Sequence, residues 1–145
     1  MKKATLIQIA KAIGTWLPTL FLAFVFFRQG AAKFDATSGW TRAFHTWGYP
    51  DWFLYTIGFD EILAATLLLI PRTAPVGALL IIATMLGGIG THVVAGDRHI
   101  MRSEMGPILF SSIVLFARRA ELKRVLSWRP RRPDGARAAE IRPAS

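Results

Sequence analysis

Apolar residues gather into four blocks, Ile13–Phe27, Trp52–Ile70, Val76–Ala95 and Ile108–Ala117, with short polar stretches between them. A helix needs about 20 mostly apolar residues to cross a ~30 Å hydrocarbon layer. With their flanks, the blocks predict membrane spans over about 13–34, 51–70, 75–95 and 104–120. The last is the weakest, since Met105–Ala117 covers only ~20 Å at ~1.5 Å per residue. It reaches full length only by running outward through Ile100 and inward past Arg118 and Arg119, whose long side chains can snorkel. The expected fold is all-α: residues 1–126 form a bundle of four transmembrane helices, with a short interfacial helix between the first two.

The connections fit that layout. Pro18 inside the first span leaves the Gly14 carbonyl unpaired and predicts a local bend. MKK before an apolar stretch, with GAA at 30–32, also fits a cleaved signal peptide. Arg28 and Gln29 beside that point favour an uncleaved anchor. In 35–50, Ser38 is a plausible N-cap, and Trp40, Phe44 and Trp47 recur on one helical face suited to the headgroup layer. PRTAP at 71–75 allows only a tight turn, and Pro75 suits a first helical turn. Gly77, Ala78, Ala83, Gly87, Gly88 and Gly90 make the third span a close-packing, central helix. The stretch from Ser127 is rich in Pro, Arg and Ala, so 127–145 is expected to be a disordered basic tail.

Composition narrows the chemistry. The chain has 145 residues and is 52% hydrophobic, with a mean hydropathy of +0.36. It contains no cysteine, which excludes dithiol redox chemistry, thiolate metal sites and disulfides. Electrons in any redox role must therefore pass through a cofactor or a partner. The formal charge is +9, but no folded basic module surrounds the basic residues, which argues against nucleic acid. With both termini cytoplasmic, 13 basic residues lie inside and four outside (Lys33, Arg42, Arg98, Arg102). That asymmetry predicts a membrane protein with an even number of spans and both ends in the cytoplasm.

Glu61 stands near the middle of the second span, beside Asp60. A carboxylate there costs about 2.5–3.5 kcal/mol on insertion scales and needs an interior partner. Counting from span ends near 34, 51 and 96 places Arg28 ~9 Å deep, Glu61 ~15 Å and His92 ~6 Å. An Arg28–Glu61 ion pair is expected, with Lys33, Asp60 and His92 near it. One reading is structural, the pair pinning two helices together. The other is a polar pocket, in which Arg28 and Lys33 hold an anion or a quinone carbonyl and Glu61 exchanges a proton. His92 alone reads more readily as a satisfied interior histidine. Trp40, Trp47, Tyr49, Trp52 and Phe53 read first as an interfacial belt, and as the lid of the pocket, with Trp47 against a ligand, if one exists. The histidines and acids have no recognisable metal-ligand spacing.

RQGAAKF at 28–34, Trp40, WGYP at 47–50, GFDE at 58–61, LLLIPRTAPVGA at 67–78 and Met85 together resemble the DoxX and DoxX-like membrane proteins. The resemblance implies a small four-helix bacterial inner-membrane protein. It also implies association with sulfur or oxidative-stress redox complexes and a polar signature at Arg28, Gly30, Lys33 and Glu61. Three functions stay open. One is a membrane subunit of an oxidoreductase system handling a quinone or a small sulfur compound. The second is a scaffold recruiting a soluble or membrane redox partner, alone or as a homo-oligomer. The third is a small proton-coupled transporter or lipid-binding protein, made less favourable by the lack of an evident inverted repeat.

Overall fold

The computed structural model describes residues 2–96 and 101–127, so the expected tail beyond Ser127 and residues 97–100 lie outside it. Six helices and no strands occur among the described residues: α1 Lys2–Ala32, α2 Gly39–Thr46, α3 Asp51–Leu69, α4 Ala74–Ala95, α5 Met101–Ala117 and α6 Arg119–Leu126. Three of them, α1, α3 and α4, are long and apolar enough to cross a membrane, while the apolar part of α5, Ser103–Ala117, is shorter.

α1 starts well before the expected residue 13, because residues 2–12 contain no glycine or proline to stop a helix. It also runs unbroken through Gly30–Ala32. Ser38 caps α2, its hydroxyl accepting from the Thr41 amide at 3.4 Å. Gly48, at φ +81°, then reverses the chain, and the Tyr49 amide donates to the Phe44 carbonyl at 2.9 Å. α3 ends at Ile70, whose extended conformation is the one a following proline favours. Gly96, at φ +71°, caps α4.

The fourth span does not run continuously to residue 120. Arg118 breaks the helix between α5 and α6. Rather than snorkelling, its side chain is buried. Its Nη1 donates to the Pro71 carbonyl at 3.3 Å, and its guanidinium lies 4.9 Å from the Trp16 ring centre. The carbonyls that follow a helix end have no partner of their own, and Arg118 supplies one at the α3–α4 turn.

α1, α3, α4 and α5 pack around a ring in that order. The core lies towards the α3–α4 turn, where Leu22, Phe26, Ala65, Leu68, Ile81 and Val114 meet. Glycines set the helix separations. A Cβ on Gly30 would lie 2.7 Å from the Gly58 carbonyl oxygen, and one on Gly77 would lie 2.7 Å from the Ala64 carbonyl oxygen. A Cβ on Gly58 would meet Lys33 Cβ at 3.0 Å, so α1 ends opposite Gly58. That is seven residues, ~10 Å, along α3. α2 occupies the space left above it.

Candidate functional site

The partner of Glu61 is Lys33, not Arg28. Lys33 Nζ lies 2.6 Å from Glu61 Oε2, and the two residues are only 2% and 3% exposed. On α1 the buried residues Thr19, Leu22, Phe26 and Gly30, continued by Lys33 just past the helix end, recur every three or four positions and form one face. Arg28 lies two residues from Gly30, ~160° around the helix from the α3 contact (two steps of ~100°), and is exposed. It lines a surface groove with Phe24, Gln29 and Trp40. Depth counting missed this because it treated the span ends as level, whereas α1 stops short of the start of α3. Side chains lean towards the N-terminus of their own helix. Glu61 therefore leans back towards Gly58, the level at which Lys33 follows the end of α1.

Above the pair lies a cavity of about 640 Å³, within the range of small-molecule sites. α2 and the start of α3 roof and wall it with Trp40, Phe44, Trp47, Tyr49 and Phe53. The aromatic stripe of α2 thus turns inward as a lid, while Trp52 alone of the expected belt points fully out, at 66% exposure. Phe44 anchors the lid, its ring centre 5.6 Å from that of Trp47, 5.8 Å from Tyr49 and 6.1 Å from Phe53. Lys33 Nζ is 4.2 Å from the Trp40 ring centre, so the ammonium meets a carboxylate on one side and a π-face on another. Outside the cavity, Thr37 donates to Asp35 through its amide and its hydroxyl, which holds the Asp35 carboxyl below the usual carboxylate range.

A second polar pair faces the same space. His92 Nε2 lies 3.6 Å from Glu104 Oε1, and both residues are buried and line the cavity. Trp47 meets the His92 ring edge-on at 5.1 Å. His92 Nδ1 is buried with no hydrogen-bond partner among the described residues, contrary to the expected satisfied histidine. Sequence reasoning missed Glu104. The available signal was an acid one residue before the short apolar run of α5, placed to enter the bundle rather than end the loop. Asp60 does not join the cluster. It faces α4, where Thr84 Oγ1 donates to its Oδ2 at 2.6 Å.

Lys33, Glu61, His92 and Trp47 therefore meet at one cavity, while Arg28 and Asp60 stand apart from it. The sequence model of the DoxX-like family matches residues 17–117. The chain belongs to the DoxX-like family. That match contains every cavity residue named above. A curated relative, YwoB of Bacillus subtilis (strain 168), is described as uncharacterised. It is 41% identical over 90 residues, which is 50% of the present DoxX-like chain and 58% of YwoB. The match thus spans under two thirds of that relative's length. No solved structure matches the chain.

Proposed function

We propose that this DoxX-like protein is a membrane subunit of a redox system, and that its cavity holds the head group of a quinone. One observation carries the reading: a lysine–glutamate ion pair, Lys33–Glu61, and a histidine–glutamate pair, His92–Glu104, face a single aromatic-walled space. A quinone head is flat and offers hydrogen-bond acceptors at opposite edges, which suits aromatic walls and separated donors. Its reduction consumes two electrons and two protons. With no cysteine in the chain, the electrons come from a partner, and the buried pairs handle the protons. The unpartnered Nδ1 of His92 favours a ligand with a polar edge at that wall. In the same reading the basic termini lie in the cytoplasm and the lid faces outward.

The test is binding of decyl-tailed benzoquinone to the protein in lipid nanodiscs, followed by quenching of Trp40 and Trp47. Saturable quenching is expected, weakened about tenfold in His92→Leu, the usual scale of one lost hydrogen bond. Quenching that never saturates, or that is unchanged in the variant, refutes the head-group site.

A further inference from the structure

Two hydroxyl bridges near the cavity tie α4 to α3 and to the turn that leads into α3. The Thr84 hydroxyl donates to Asp60, and one turn beyond the midpoint the Tyr49 and Thr91 hydroxyls are 3.0 Å apart. Thr84 and Thr91 are seven residues, ~10 Å, apart along α4. Between these bridges α4 presents Gly87, opposite Ile57 on α3. Gly87 is exposed and lines the cavity. A Cβ built on it meets no atom within 4 Å. Beside it lies the lateral surface of α4. That surface is apolar, with Leu86 57% and Val94 90% exposed on the same helix.

We infer that the α3–α4 seam at Gly87 is a lateral port through which the alkyl tail of the ligand leaves the cavity for the bilayer. The inference rests on the head-group reading above and restricts it: the ligand is a lipid-soluble molecule with a single slender tail, not a water-soluble sulfur compound. The Thr84–Asp60 bond ties α4 to α3 on one side of the slot, and the Tyr49–Thr91 contact ties it to the turn before α3 on the other. The missing side chain at Gly87 leaves space in which a Cβ would meet no atom within 4 Å. The head remains among Lys33, Glu61 and His92, under the aromatic lid.

Gly87→Leu tests the port without disturbing the fold, because a side chain there meets no atom within 4 Å of its Cβ and leucine is a better helix former than glycine. In the quenching assay, wild type should bind both tail-less and decyl-tailed benzoquinone. The variant should lose at least tenfold affinity for the tailed probe and stay within about twofold for the tail-less one. Equal binding of the tailed probe by both proteins overturns the port. A second measurement does not depend on the head group: a phospholipid carrying a photoactivatable alkyl chain. Labelling of Phe53 or Met85 inside the cavity, lost in Gly87→Leu, supports the port even if no quinone binds, and then the head-group reading alone fails. Labelling confined to outward-facing residues overturns it.

Discussion

Gly77 and Gly87 lie ten residues apart on α4 and serve opposite purposes. Near the α3–α4 turn, Gly77 brings the α4 backbone against Ala64 and Leu68, with no space for even a methyl group. Ala74, Pro75, Gly77, Ala78 and Ile81 are all buried there. From Ile82 onward α4 buries no further residue until His92, and this stretch borders the cavity. One end of the bundle is packed as a membrane protein must be when apolar lipid offers no solvent-driven attraction between helices. The other end gives up that packing and holds itself with polar bridges and an aromatic lid. Small residues in a span are thus ambiguous by themselves. Whether they mark contact or vacancy depends on whether the neighbouring helix follows them.

The largest effect is expected where the two ends meet. Lys33→Met leaves Glu61 buried without its partner and should cost about 3–5 kcal/mol, read as a lowered unfolding temperature of the purified protein. Adding Glu61→Leu should recover most of the loss. If the double variant is as unstable as the single, the pair does not hold the helices. Next comes Gly77→Leu, expected to cost about 3 kcal/mol or more through overpacking, against no loss for Gly87→Leu in the same melt. Equal damage at both positions would erase the distinction between the two ends. Arg28→Ala, on the outward face of α1, should change stability by no more than ~0.5 kcal/mol. A loss on the scale of Lys33→Met would mean that Arg28 carries an interaction absent from this arrangement. The smallest effect is local and depends on pH. Because the Asp35 carboxyl titrates below its ordinary range, its hold on Thr37 is complete above that range and is lost as pH falls through the lowered value. The Thr37 amide should exchange faster with solvent on that descent, and Asp35→Asn should remove the dependence.

Much of the architecture was readable from run lengths, because lipid forces each span to be long, apolar and helical. The buried acid at Glu61 was legible for the same reason. Its partner was misread, although the pattern Leu22, Phe26, Gly30, Lys33 already placed the lysine on the buried face of α1. Depth had been weighed ahead of helical phase. Glu104 was obscured by standing where a polar loop meets a short apolar run, so either assignment satisfied the local pattern. The inward turn of Trp40 and Trp47 could not be read locally at all. The amphipathic stripe of α2 suits a headgroup layer and a cavity roof equally well, and only the early end of α1 decides between them.

That early end has a consequence for how such proteins can diverge. Residues 34–50 form an insert suspended between two anchored columns, and their length sets the height of the chamber beneath. Lengthening or shortening this stretch would resize the chamber without disturbing the helices that support it. Exchanging it between related chains should therefore transfer preference for larger or smaller head groups, while Lys33 and Glu61 stay in place as a common floor.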